Sequence, residues 1–193
     1  MHPLLLATRN SHKTREFVEI LGEEFVVRDL SEELELPVVE ETGANFKENA
    51  ILKAVATSKQ FPELVVADDS GLEVAALNGA PGIYSARYAG DDASDRDNVA
   101  KLLAELVAHP SPYSARFRCV LALAREGKVL GTFDGVVEGT IVDKPRGSFG
   151  FGYDPVFQPA GSAQTFAEFS PTEKNQISHR ARAIRLLRVT LLT

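Results

Sequence analysis

Two adjacent carboxylates close an apolar run at Ala67-Asp68-Asp69-Ser70-Gly71. Placed together they repel, unless a cation or a proton relieves them. Strand residues alternate between faces, so one of the two acids is expected to face a metal directly. Asp-Asp-Ser-Gly is also good turn chemistry, and the motif alone leaves both readings open. A second group is Thr8-Arg9-Asn10-Ser11-His12-Lys13, between an expected strand and an expected helix. Helix N-terminal amides attract phosphate, Thr8 and Asn10 add short donors, and Lys13 adds a point charge. A capped helix start with an exposed lysine is the plainer reading. Glu40-Glu41-Thr42-Gly43, followed by Lys53, could join Asp69 around a metal or could face a helix dipole. In Pro145 to Asp154, glycines allow close backbone approach to a flat ligand, and Phe149, Phe151 and Tyr153 offer stacking faces. A tight loop fits the same letters. Glu173 to Arg180 carries Lys174, His179 and Arg180, which suit an anion or a carbonyl-rich base, or simply solvent.

Those groups must be positioned by one large domain or two small lobes, because the chain has 193 residues. Hydrophobic residues make up 44% and charged residues 25%, enough for a sizeable core. Pro3 to Ala7 suits a buried strand, and Lys13 to Leu21 puts Phe17, Ile20 and Leu21 on one helical face. A second strand is expected near Phe25 to Arg28. Asn45 to Gln60 reads as a helix with Asn45 and Glu48 as a capping box. Leu64 to Ala67 is a strand ending on the two acids, and Leu72 to Leu77 continues extended. Asp92 to Val107 is a helix. Tyr113 to Ala124 and Val129 to Val142 form a hairpin around Arg125-Glu126-Gly127-Lys128. Ser178 to Leu191 closes the chain as a helix capped by Ser178. The fold class is α/β with a mixed sheet.

Composition removes several chemistries. Cys119 is the single cysteine, so no intrachain disulfide and no CxxC site exist. The P-loop, HExxH and GxSxG patterns are absent. Oxygen ligands remain, which suit a hard cation such as Mg²⁺. The net charge of -6 argues against a nucleic-acid coat but leaves room for a small anionic ligand. The longest apolar run, Cys119 to Ala124, is far short of a membrane span, and the first residues lack the pattern of a secretory signal. No membrane association and a reducing, cytoplasmic setting are therefore expected.

Carboxylates, phosphate-seeking lysines and a glycine-aromatic slot together form the inventory of a metal-dependent nucleotide hydrolase. At this point the chain resembles the inosine/xanthosine triphosphate pyrophosphatases, which remove non-standard purine nucleoside triphosphates. The matching stretches are ATRNSHKTRE (7–16), ETGANFKENAILKA (41–54), ADDSGLEV (67–74), GAPGIYSARYAG (79–90), GSFGFGYDPVF (147–157) and EKNQISHRARA (173–183). The resemblance implies a single domain over 1–193: an elongated, two-lobed α/β fold around a long mixed sheet with flanking helices and an active-site cleft between the lobes. It also implies a homodimer, Mg²⁺ dependence, and hydrolysis of ITP, dITP and XTP to the monophosphate and pyrophosphate.

By that resemblance Asp69 is the metal-associated general base and Asp68 its supporting carboxylate. Glu41 is a second metal ligand, with Glu40 the alternative. Lys13 and Lys53 clamp phosphate, with Thr8, Asn10, Ser11 and His12 in the same loop, and Ser70 contacts substrate. Phe151, Gly152, Tyr153 and Asp154 resemble the base and ribose wall, which Lys174, His179 and Arg180 close. Arg9 departs from the family, which usually has a small residue there; it either points to solvent or adds a phosphate contact. Donors from Arg180, His179 or loop amides would pair with a C6 carbonyl and reject adenine. Two other readings are a pyrophosphatase for modified pyrimidine nucleotides and a nucleotide-binding module without catalysis. The segment 178–180 and the wall 151–154 argue against the first, and the intact acid–lysine set against the second.

Overall fold

Three consecutive leucines, Leu4, Leu5 and Leu6, require burial on both faces of a strand, and β1 (His2–Leu6) provides it. The computed structural model describes residues 2–192. After β1 come α1 (Ser11–Leu21), β2 (Phe25–Asp29), α2 (Phe46–Ser58) and β3 (Leu64–Val74). They are followed by α3 (Asp95–Leu106), β4 (Tyr113–Arg125), β5 (Lys128–Ile141), β6 (Phe157–Pro159), α4 (Pro171–Ile177) and α5 (His179–Leu192). Short 3-10 turns lie at Ala75–Leu77, Gly82–Arg87 and Phe166–Glu168.

Among the described residues the strands form one six-stranded sheet, ordered β2-β1-β3-β4-β5-β6. β1 is parallel to β2 and to β3, whereas β5 and β6 are antiparallel. The two-residue link Glu126-Gly127 between β4 and β5 is short enough only for an antiparallel hairpin. The fold is thus the mixed α/β sheet expected from the sequence.

The chain divides into two compact units. The first comprises Met1–Asp69, Cys119–Gly135 and Arg180–Thr193; the second comprises Ser70–Arg118 and Val136–His179. Each has its own core. In the first, Leu4, Leu6, Phe17, Leu21, Val66, Leu121, Ile184 and Leu187 pack together. In the second, Leu72, Val74, Leu102, Leu106, Phe117, Phe157 and Phe166 do so.

Several boundaries differ from the sequence reading: residues 75–77, expected to be extended, form a 3-10 turn, and three other differences have a local reason. α1 begins at Ser11 because Asn10 caps it: its Oδ1 accepts from the amides of His12 (3.0 Å) and Lys13 (3.3 Å). α3 begins at Asp95 because Ser94 and Asp97 form a reciprocal capping box. β3 runs unbroken from Leu64 to Val74, so Asp68-Asp69-Ser70-Gly71 is strand and not turn. Register explains why the acids remain accessible to the loop ahead of α1. Leu6, the last residue of β1, lies opposite Val66, so Asp68 comes just beyond the carboxyl end of β1.

Candidate active site

The first unit's site begins where β1 ends. Thr8 Oγ1 accepts from the Asn10 amide at 3.1 Å, and Thr8 O accepts from the Leu30 amide at 2.9 Å. The Thr8 and Asn10 side-chain oxygens thus accept bonds that shape their own loop, while the Thr8 hydroxyl and the Asn10 side-chain amide keep protons to donate. Lys13, on the first turn of α1, places its Nζ 2.5 Å from Asp68 Oδ1 and 3.4 Å from Asp68 O. Ser11 and His12 are exposed on the same turn. Arg9 donates through Nη2 to the carbonyls of Glu33 (2.9 Å) and Leu36 (2.7 Å).

Lys53 arrives from α2, whose start is fixed by Asn45 Oδ1 accepting from the Glu48 amide at 3.0 Å. Ahead of it, the Gly43 amide donates to Asn49 Oδ1 at 2.8 Å. A Cβ at Gly43 would lie 2.6 Å from that of Glu48, so only glycine permits this approach. Lys53 Nζ then bridges Glu41 Oε1 (2.7 Å), Asp69 Oδ1 (2.9 Å) and Asp68 O (3.0 Å).

The two adjacent acids have separate fates. Asp68 is fully enclosed: Oδ1 takes Lys13, while Oδ2 takes Arg180 Nε at 2.7 Å and the Cys119 thiol at 3.2 Å. Arg180 Nη1 in turn reaches Glu16 Oε2 at 2.5 Å. Burial pushes the Asp68 carboxyl upward, but the Arg180 guanidinium and Lys13 ammonium outweigh it and hold it well below the usual range. Burial pushes the Asp69 carboxyl up, and the Lys53 charge offsets this only in part, so its affinity for a proton is raised. Burial also opposes the Lys53 charge, but Asp69 and Glu41 overcome it and raise its proton affinity. Asp69 Oδ2 is buried with no hydrogen-bond partner. Asp68 is thus held in its charged form by its partners, while Asp69 keeps an oxygen without a hydrogen-bond partner.

Among the described residues no three His, Cys, Asp or Glu side chains cluster as a ready metal cage. Two carboxylates, Glu41 and Asp69, nevertheless share one cation, the Lys53 ammonium, and Asp69 retains the unsatisfied oxygen. Mg²⁺ usually takes one or two carboxylates and completes its shell with water and phosphate oxygens, so this donor set fits it. Glu40 is exposed, whereas Glu41 is half-buried and engaged.

The second unit carries the glycine-aromatic loop. Asp154 Oδ2 accepts from the Phe151 amide (2.9 Å) and from Lys174 Nζ (2.6 Å), both in buried surroundings. Lys174 lies over the Phe151 ring at 4.9 Å and the Phe166 ring at 5.8 Å. Tyr153 donates its hydroxyl to Ser85 O at 2.8 Å, and the Gly152 amide donates to Asp95 Oδ2 at 2.6 Å. His179 stacks on Phe117 with centroids 4.7 Å apart. Ser70 is half-buried on β3.

Several expected donors to a base carbonyl are occupied within the chain. The Ser148 and Phe149 amides both bond Ala167 O, those of Phe151 and Gly152 bond carboxylates, and Arg180 serves Asp68 and Glu16. The loop's glycines likewise serve internal packing. At Gly147, φ is +84° and a Cβ would lie 2.2 Å from the Ala167 carbonyl. Gly147→Ala is expected to cost at least about 1–3 kcal/mol, read as a lower urea midpoint at unchanged slope. A midpoint equal to the parent's would contradict this packing account.

Sequence reasoning missed Glu16, Cys119 and Ser85 as partners of the site. Glu16 was legible in principle, since it follows Lys13 by three residues on one helical face. Cys119 and Ser85 carried no local signal, because their roles depend on pairing with distant strands and turns. Phe149, expected only as one of the loop's stacking faces, has its ring half-exposed.

An α/β protein that gathers two lysines and two carboxylates beyond the carboxyl end of a parallel strand has the groups needed to handle a phosphate polyanion. The chain belongs to the Ham1 family, whose family model matches residues 4–190. It is 48% identical to a dITP/XTP pyrophosphatase of Bacillus licheniformis, over 99% of this chain and 98% of that protein. It is 46% identical to a dITP/XTP pyrophosphatase of Bacillus subtilis, over 97% and 96%. Among solved structures it resembles a HAM1 protein from Coxiella burnetii with a TM-score of 0.89 and 45% identity, covering 100% of this chain and 99% of that one. No helix among the described residues is long and apolar enough to cross a membrane.

Proposed function

We infer that this chain hydrolyses non-standard purine nucleoside triphosphates, ITP, dITP and XTP, to the monophosphate and pyrophosphate, with Mg²⁺ held by Glu41 and Asp69. The observation that carries this reading is Lys53 bridging Glu41 and Asp69 beside Lys13 on Asp68, in a chain with dITP/XTP pyrophosphatases as near-full-length relatives. Magnesium bound there supplies neutralisation of triphosphate charge and a polarised water.

The chain's own groups do the rest. Asp69, which has an oxygen without a hydrogen-bond partner, accepts the proton of the attacking water. Lys13 and Lys53 bind the phosphates and stabilise charge on the departing pyrophosphate. Asp68 keeps Lys13 in place. In the second unit, the Phe149 and Phe151 rings offer stacking faces, and the Lys174 ammonium with His179 supplies the remaining polar groups for the base. A homodimer in a reducing cytoplasm completes the proposal, supported by the family resemblance and the single, buried Cys119. Sedimentation velocity at the mass of one chain would overturn the dimer.

A nucleotide panel tests selectivity. With Mg²⁺, kcat/KM for ITP and XTP should exceed that for ATP by at least about 100-fold, since a site paired to a carbonyl leaves polar groups unpaired against an amine. Preference for dUTP or a modified UTP would contradict the purine assignment.

A further inference from the structure

We propose that Arg9 is a positioning residue: by tying the turn at residues 33–36 to the loop ahead of α1, it holds the segment that presents Glu41. The proposal rests on the reading of Glu41 given above. Residues 37–43 have no regular structure, and Pro37 offers no amide to anchor them. Glu41 nevertheless has to deliver its carboxylate to Lys53 at 2.7 Å, from within this segment. An irregular run can do so reproducibly only if both ends are fixed, because each loose residue adds conformations to be lost.

The far end is fixed by Gly43 N on Asn49 Oδ1 and Ala44 N on Glu48 Oε2, each at 2.8 Å. The near end has weaker local bonds, Glu33 N to Leu30 O at 3.2 Å and Leu36 N to Glu33 O at 3.3 Å. Arg9 adds the strongest tie there. One guanidinium nitrogen donates to two carbonyls, Glu33 O at 2.9 Å and Leu36 O at 2.7 Å. Both bonds carry a full charge on the donor, which makes them stronger than neutral ones. The Leu30 amide on Thr8 O closes the same link from the other side. The loop ahead of α1 and the segment that carries Glu41 are thereby braced against each other within the first unit. Arg9 performs this from an exposed position, with its charge directed to main-chain carbonyls.

The test uses the full chain with Arg9→Ala, Arg9→Lys, Glu41→Gln and the double variant Arg9→Ala/Glu41→Gln. Hydrogen exchange without substrate should show the Glu33 and Leu36 amides losing protection by about tenfold or more in Arg9→Ala, with helix α2 amides unchanged. Arg9→Lys should restore part of that protection. For ITP, kcat/KM should fall about tenfold in Arg9→Ala, the scale seen when a ligand's supporting partner is removed. In the Glu41→Gln background the same change should have little further effect. Unchanged exchange, or losses that multiply in the double variant, would overturn the proposal. Full activity of Glu41→Gln alone would instead contradict the role of Glu41, with exchange still deciding the Arg9 tie.

Discussion

Asp69→Asn is expected to lower kcat for ITP by about 100- to 10,000-fold, the usual loss when a general base is removed. The substitution keeps the shape of the side chain, and its carbonyl oxygen can still accept from Lys53, now 2.9 Å from Asp69 Oδ1. What disappears is the oxygen without a partner, which is replaced by an amide that cannot take a proton. Lys13, Arg180 and Cys119 bond Asp68 and not Asp69, so the enclosed part of the network is untouched. Thermal stability should therefore stay close to that of the parent. Near-normal turnover in Asp69→Asn would remove it from the role of base.

Asp68→Ala should act mainly on stability, with a loss of about 3–5 kcal/mol in urea denaturation, as expected when one partner of a buried ion pair is deleted. Its carboxylate holds Arg180 and Lys13, and Arg180 is itself almost wholly enclosed. Removing the acid leaves the guanidinium with Glu16 as its acidic partner in the ion-pair chain. Replacing the pair together, as Asp68→Leu/Arg180→Met, should recover a large part of the loss, since an apolar pair avoids the desolvation of charge. The sign of the pH dependence follows from the lowered Asp68 proton affinity. Its contribution is fully present above the ordinary carboxyl value of 3.8 and is lost as pH falls through the lower folded value. The gap between parent and Asp68→Ala should therefore hold from neutral pH to near that value and narrow only in stronger acid. A gap below about 1 kcal/mol at neutral pH would show that the network contributes no more than an exposed pair.

Periodicity and caps carried much of the fold. The alternation of apolar runs with helical faces gave the mixed sheet, and Asn45 with Glu48 placed the start of α2. Ser170-Pro171-Thr172-Glu173 held an equally clear start for α4, with a capping box and proline in the first turn. The sequence reading started the closing helix at Ser178 and assigned no element to residues 171–177. Ser178 consequently appears at the junction, where its amide closes α4 on Lys174 O at 2.9 Å and α5 follows. Asp68 and Asp69 were visible as an unusual pair, but their separate fates were not. Which acid becomes a fixed anion depends on Arg180, 112 positions away, and no local pattern announces a contact of that span. Arg9 was expected to face solvent or a phosphate, and its guanidinium instead bonds main-chain carbonyls, which every residue has and no side-chain pattern announces.

Phosphorus-31 NMR of the intact chain with ITP measures cleavage to monophosphate and pyrophosphate directly. With Mg²⁺, IMP and pyrophosphate should form in equal amounts, with no turnover once EDTA removes the metal. Release of IDP and orthophosphate, or hydrolysis that continues undiminished in EDTA, would contradict the proposed function.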